Sequence, residues 1–347
     1  MGLNNKVFDT IYPWSLTCWR EAAAELGIAI DTWDMMPLDK ADCVWFLDLP
    51  DRRSDFEAAR RAARPGTPFV LQVMESPVGR MHNLTVSNQA RCDYVVTYQQ
   101  QAGVLGRHFS YRLPHSLSFK GTHVPYEQRK GAVMVNTNRV EGYFAIRQRG
   151  LTGLPGIGRS FGGWDLPPLN WVRPVTGELY SWRRRLARTA AALQPGLLDV
   201  VGYGWSGEDI SWCPLYPKRP YPICVSKQVP DKLQLISGYR FCISVENFRG
   251  TLDYVSEKMI DALIAGSVPV YLGEESITNT VPAAAFVDVR NFRSQRELLL
   301  YLDSCPRSEW EALHAAGQAY VRSEAIRQFS TETFVKTMNG ILSNILR

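Results

Sequence analysis

The stretch from Glu246 to Lys258 concentrates side chains able to hold an anion and a polyol. Tyr239–Val245 has strand composition, with Glu246 and Asn247 at its end. Phe248–Leu252, containing Gly250, reads as a loop, and Glu257 and Lys258 follow on a helix expected to begin near Asp253. In open α/β sheets ligands gather beyond the carboxyl ends of the strands, where helix N-termini present unpaired N–H groups and a positive dipole end. Lys258, on the first or second turn, adds an ammonium there, a combination suited to a diphosphate. Glu257 offers two acceptors to the paired hydroxyls of a ribose or another sugar, and Asn247 can both donate and accept. By spacing alone, the adjacent Glu257 and Lys258 fit an ordinary solvated ion pair equally well. A further carboxylate, Glu75, follows the run Phe69–Met74, where it could exchange a proton or merely cap a turn.

The elements that must position these residues are legible as alternating runs. Short apolar runs at 43–47, 68–73 and 94–98 are separated by helix-like stretches such as Asp55–Ala63, which is βαβ logic and predicts a parallel sheet. Residues 119–131 are polar and charged and precede a new strand at 132–135, so the domain boundary is expected there. The division is 1–125 for an N-terminal domain, 126–330 for a C-terminal one and 331–347 for a helical tail. Residues 141–180 hold eight Gly and four Pro, which forbids a long helix or central strand and predicts an ordered surface loop anchored by aromatics. Beyond it come a helix at 182–193 and a strand at 198–201. Val255, Met259, Ile260, Leu263 and Ile264 share one helical face, Gly266 ends that helix, and 267–272 resumes a strand. Residues 286–289 and 294–303 repeat the strand-to-helix alternation, and 306–345 reads as largely helical.

At 347 residues the chain has room for about two domains. Its 45% apolar and 21% charged residues describe a folded body, not a disordered one. A net charge of +5 is too dilute for a dedicated nucleic-acid binder but suits an anionic ligand. The seven cysteines are scattered without Cys-x-x-Cys spacing, and the five histidines show no ligand-pair spacing, so neither zinc nor a disulfide framework is expected. No Asp-x-Asp follows a strand; Asp48-Leu-Pro-Asp51 reads as a strand end and turn. No apolar N-terminal stretch or membrane-spanning run is present, which makes a cytoplasmic location the expectation. Arg322, Arg327, Lys336 and Arg347 would allow weak peripheral association with the inner face of a membrane. Asn83-Leu-Thr85 is a glycosylation sequon of a kind that arises by chance.

The stretch Tyr239-Arg-Phe-Cys-Ile-Ser-Val-Glu-Asn-Phe-Arg-Gly-Thr-Leu-Asp-Tyr-Val-Ser-Glu-Lys-Met-Ile-Asp-Ala-Leu-Ile-Ala-Gly-Ser-Val-Pro-Val-Tyr-Leu-Gly273 resembles the donor-site signature of the α1,3/α1,4-fucosyltransferase family. Phe286-Val-Asp-Val-Arg-Asn-Phe, with Glu297 and Tyr301 after it, resembles the segment that follows in that family. Upstream, Met74-Glu-Ser-Pro77, Asn83 and Asp93-Tyr-Val-Val-Thr-Tyr98 are similar to its acceptor-domain signature.

The resemblance implies an α/β protein of GT-B architecture, two Rossmann-like domains facing a central cleft with the nucleotide on the C-terminal one. It implies an inverting, metal-independent glycosyltransferase with no resident cofactor, moving α-L-fucose from GDP-fucose to a hydroxyl of an oligosaccharide, glycolipid or glycoprotein. Lys258 is expected on the diphosphate, Glu257 on the ribose, and Glu246, Asn247 and Tyr254 around nucleotide and sugar. A second cation is expected from Arg183, Arg184, Arg185 or Arg188, with Arg185 the best aligned. Glu75 is the expected general base, because an inverting transfer needs one group to take the acceptor proton opposite the leaving GDP. His82 and Asn83 flank that motif, and Trp164 and Trp171 are acceptor-loop candidates because sugar faces stack on indoles. The alternatives are a transferase using another GDP-sugar and a non-catalytic saccharide-binding protein of the same fold.

Overall fold

The computed structural model describes residues 5–8, 14–99, 107–122, 124–138, 160–161, 164–165, 177–207, 221, 223–226, 229 and 231–347. In chain order the elements are α1 (Trp14–Glu25), β1 (Val44–Leu47), α2 (Arg53–Ala62), β2 (Phe69–Gln72), α3 (Val86–Gln89), β3 (Tyr94–Thr97), β4 (His108–Ser110) and β5 (Lys130–Val135). The short strands β6 (Ser160–Phe161) and β7 (Trp164–Asp165) follow, then α4 (Tyr180–Leu193), β8 (Leu198–Val201), β9 (Cys224–Ser226), α5 (Lys232–Ser237), β10 (Tyr239–Val245) and α6 (Glu257–Ile264). The chain closes with β11 (Val268–Leu272), β12 (Val287–Asp288), α7 (Gln295–Ser304), α8 (Arg307–Val321) and α9 (Thr331–Ile345), joined by short 3-10 turns.

The described residues divide into two units. One takes those of Met1–Ser116, Gly153–Val172 and Arg327–Arg347, the other those of Leu117–Thr152 and Arg173–Ile326. In the first unit the sheet runs β1-β2-β3-β4, with every pairing parallel. All four residues of β2 are buried, Phe69, Val70 and Leu71 as expected of an apolar run covered on both faces and Gln72 with its Oε1 accepting from Trp45 Nε1 at 2.9 Å. The helical tail expected at 331–347 is integral to this unit. Phe334, Met338, Ile341, Leu342 and Ile345 of α9 share a helical face and join Leu16 and Trp19 of α1 in one core, so that face is used up inside the protein.

The second sheet has the order β12-β11-β10-β5-β8-β9 and is also parallel throughout. The chain leaves β5 outward to β8 and β9, then returns to β10 and proceeds the other way through β11 and β12. The order therefore reverses between β5 and β10, and their carboxyl ends open the crevice in which such sheets bind ligands. Phe241, Ile243, Val245, Val268, Val270 and Leu298 lie in the core that holds this edge.

Of the Gly/Pro-rich stretch expected as a loop at 141–180, most residues lie outside the described ones. The pair β6 and β7 is antiparallel, with Ser160 opposite Asp165 and Phe161 opposite Trp164.

Candidate active site

The helix expected from Asp253 begins four residues later, at Glu257. Asp253 has a left-handed φ of 63°, and residues 254–256 then run without helical structure. The reason is Glu246, fully buried at the end of β10. Its Oε1 accepts from the Ser256 N–H at 2.8 Å and its Oε2 from the Ser256 hydroxyl at 2.6 Å, which draws Ser256 to the strand end. Ser256 then serves as N-cap, accepting from Lys258 N–H at 3.5 Å. The Ser244 hydroxyl donates to the Lys258 carbonyl at 2.8 Å and ties the first turn of α6 to β10. At the far end Gly266, with φ of 73°, closes α6 as its sequence position suggested, its N–H donating to the Leu263 carbonyl and that of Ser267 to the Ala262 carbonyl.

Lys258, 8% exposed, is thus held in the first turn beside the switch point. Its ammonium donates to Ser256 Oγ at 3.0 Å and lies 3.4 Å from Glu257 Oε1 and 3.5 Å from Glu246 Oε2. Glu246 spends both oxygens on Ser256 and Lys258, so its work here is to build the cation site. Tyr254 is buried in the run leading into α6.

Of the four arginines of α4, Arg183 is the one whose guanidinium bonds to the end of β10. Residues 177–179 pair with 247–249: Leu179 N–H donates to the Asn247 carbonyl and Arg249 N–H to that of Gly177, with a bridge between Glu178 and Phe248. This seats the start of α4 against the strand end. Arg183, 2% exposed, then donates to the Val245 carbonyl at 2.7 Å and to Asn247 Oδ1 at 2.8 Å. Two residues further on, about 200° round the helix, Arg185 is exposed. Burial lowers the Arg183 pKa, against the opposing pull of Tyr180, Glu246, Glu257 and Glu178. Its Nε is buried without a hydrogen-bond partner. Arg184 donates to Ser181 Oγ and Arg188 to the Tyr221 hydroxyl, so these two serve α4 and its surroundings.

Lys232, at the start of α5, was not singled out by sequence reasoning. Its ammonium lies 2.7 Å from Asp261 Oδ2 and 3.6 Å from Glu257 Oε1. Burial opposes its charge, but Glu257 and Asp261 outweigh that and raise its pKa. The available signal was the i,i+4 spacing of Glu257 and Asp261, two like charges on one face that need a cation between them.

In the first unit, Glu75 stands exposed just beyond β2. Its carboxylate lies over Gly79, where an added Cβ would stand 2.8 Å from Oε2. Asp48, which reads in sequence as a plain strand end, is the other residue that sequence reasoning missed. It has a left-handed φ of 60°, and its Oδ1 accepts from Met74 N–H at 2.8 Å and Glu75 N–H at 3.3 Å. Asn83 is fully buried, donates to Asp48 Oδ1 at 2.6 Å and accepts from Leu49 N–H at 2.8 Å. A buried amide so engaged is no accessible acceptor for a glycan, which disposes of the sequon. His82 is 3% exposed with Nε2 3.4 Å from the Leu49 carbonyl, and burial lowers its pKa. Both residues therefore support the turn after β1. Trp164 lies in β7, and Trp171 falls outside the described residues. Among the described residues no cluster of three or more His, Cys, Asp or Glu is placed to hold a metal ion. Among them, too, no helix is long and apolar enough to cross a membrane.

Residues 197–314 match the model of glycosyltransferase family 10 (fucosyltransferase) C-term. Human alpha-(1,3)-fucosyltransferase 7 is 42% identical over 97 residues, 27% of this chain and 27% of that protein. The alpha-(1,4)-fucosyltransferase of Arabidopsis thaliana is 33% identical over 108 residues, 28% of this chain and 27% of its own length. The matched region thus spans about a quarter of the curated relatives. The crystal structure of Anabaena Alr3699/HepE in complex with UDP-glucose superposes with a TM-score of 0.51 at 13% identity, covering 87% of this chain and 79% of that one, a likeness of fold. The fold class is the one implied by the sequence, an α/β chain of two parallel-sheet units. The matched stretch runs from β8 through β10, α6 and β11 into α8, so the likeness to the fucosyltransferase model falls on the unit that carries Lys232, Glu246 and Lys258.

Proposed function

We propose that the protein is an inverting fucosyltransferase that moves α-L-fucose from GDP-fucose to a hydroxyl of a saccharide acceptor. The observation that carries this reading is the convergence of Arg183, Lys258 and the start of α6 on the β10 strand end, at the switch point of a unit matching the fucosyltransferase family. Arg183, Lys258 and the N–H groups of the first helical turn hold the diphosphate and stabilise the charge that develops as GDP leaves. Glu257, steadied by Lys232, accepts from the ribose hydroxyls. Glu75 takes the proton of the acceptor hydroxyl. The new bond forms between that oxygen and the anomeric carbon as the bond to GDP breaks on the opposite face, inverting the anomeric configuration. Neither the proton transfer nor the leaving-group stabilisation calls on a metal.

The acceptor belongs to the oligosaccharide, glycolipid and glycoprotein class. Incubating the protein with GDP-fucose and a glycan array, read by mass spectrometry beside a panel of other GDP-sugars, tests donor and acceptor together. Fucose added to a glycan, lost in Glu75→Gln with GDP affinity kept and lost in Lys258→Ala with GDP affinity reduced, is the expected result. Preferred transfer from another GDP-sugar, or saccharide binding without turnover, would replace the proposal.

A further inference from the structure

A general base must be held within a fraction of an ångström of its productive position, yet Glu75 stands on an exposed strand end. Beyond the last ladder bond of the sheet, Val73 N–H to the Val96 carbonyl, three side chains take over the backbone. The Tyr111 hydroxyl donates to the Val73 carbonyl at 2.8 Å, and the Tyr98 hydroxyl to the Glu75 carbonyl at 3.4 Å. Asp48 holds the N–H groups between them, those of Met74 and of Glu75 itself. It does so from a backbone conformation that a non-glycine residue adopts only at a cost. Its Oδ1 is further fixed by Asn83, whose own carbonyl oxygen holds the next turn residue, Leu49. Strain, a half-buried carboxylate and a fully buried amide are thus committed to one short segment that ends on the expected base.

We propose that Asp48 is the positioning residue for Glu75, with Asn83 completing the clamp. This rests on the reading of Glu75 as the general base. Asp48 touches no substrate; it sets the backbone from which the Glu75 carboxylate reaches the acceptor hydroxyl.

Three variants separate this role from mere folding. Asp48→Gly removes the clamp without penalty at the left-handed φ, Asp48→Asn keeps an oxygen at the same place, and Glu75→Gln removes the base. The probe is GDP release from GDP-fucose, with water as acceptor and again with the glycan the array returns. Asp48→Gly is expected to lower kcat about 10- to 100-fold with KM for GDP-fucose unchanged, and Asp48→Asn to restore kcat to within about threefold of the parent. In the Glu75→Gln background Asp48→Gly is expected to add no further loss, because residues acting as one unit are not additive. Full kcat in Asp48→Gly, an Asn variant as slow as the Gly one, or an undiminished loss in the Glu75→Gln background would overturn the proposal. Glu75→Gln at full turnover would overturn the base assignment itself. Should Asp48→Gly not accumulate as folded protein, Asn83→Ala carries the same expectation at about 3- to 10-fold in kcat, and unchanged kcat there overturns it as well.

Discussion

Holding the Glu75 loop costs stability, and the cost has a pH signature. Burial raises the Asp48 carboxyl from its ordinary 3.8 to about 6, helped by the charge of Glu75 and opposed by the Met74 and Glu75 N–H groups and by Arg80. In the unfolded chain the group ionises first, so between those two values the native state holds more protons. Stability therefore falls as pH rises through that window, and the full cost stands above it. A carboxyl displaced this far costs the fold about 1 kcal/mol at pH 4.5 and about 3 kcal/mol at pH 8. Asp48 is only half-buried, which makes both figures ceilings. Asp48→Asn keeps Oδ1 for Met74, Glu75 and Asn83, tolerates the left-handed φ and removes the titration. Urea unfolding followed by tryptophan fluorescence, where Trp19 and Trp45 pack together in this unit, is expected to show the variant more stable than the parent. The gain should grow from pH 4.5 to pH 8. A gain of equal size at every pH, or a loss at pH 8, would refute the reasoning, since either would mean that the Asp48 charge is not what the fold pays for.

At the donor edge, Arg183→Ala leaves the Val245 carbonyl and Asn247 Oδ1 without a donor, and is expected to cost about 2–4 kcal/mol of stability and at least about tenfold in GDP affinity by calorimetry. Exposed Arg185→Ala should change stability by less than about 0.5 kcal/mol and leave GDP binding as it is; the reverse ranking would restore the alignment-based choice. Gly273→Ala puts a Cβ 2.5 Å from Glu246 Cγ and 2.6 Å from the Tyr271 hydroxyl, so thermal unfolding should show a loss of about 1–3 kcal/mol together with weakened GDP binding. Lys232→Met removes the 2.7 Å cation partner of Asp261 and leaves Lys258 as the neighbouring ammonium of Glu257 on α6. With about a third of the Lys232 side chain still open to solvent, a loss near 2 kcal/mol in denaturant unfolding is expected, with Lys232→Arg recovering most of it.

Much of the fold was legible because its strands are buried on both faces. The runs at 68–73 and 239–245 are predominantly apolar, broken only by Gln72 in the first and by Arg240 and Ser244 in the second, and Gly266 marks a helix end that only a residue free to take positive φ closes cheaply. Lys258, Glu257 and Asn247 were readable for a similar reason: they sit within a few residues of a strand end, so local order alone puts them at the carboxyl edge. The start of α6 was misread because periodicity cannot register a buried carboxylate ten residues upstream that captures Ser256.

What the chain's order of residues determined by itself is therefore the alternation of strands and helices, the likeness of its C-terminal unit to the fucosyltransferase model and the motif at β10 and α6. All of these depend on neighbours in sequence. Which arginine reaches the end of β10 was decided only in the fold, where 177–179 pair with 247–249, Arg183 is buried and Arg185 is exposed. That Lys232 balances Glu257 and Asp261, and that Asp48 grips the backbone of Glu75, were likewise decided only when distant segments met. Hydrogen bonds and ion pairs act over a few ångströms in space, and no periodicity along the chain encodes which remote residue will come within that reach.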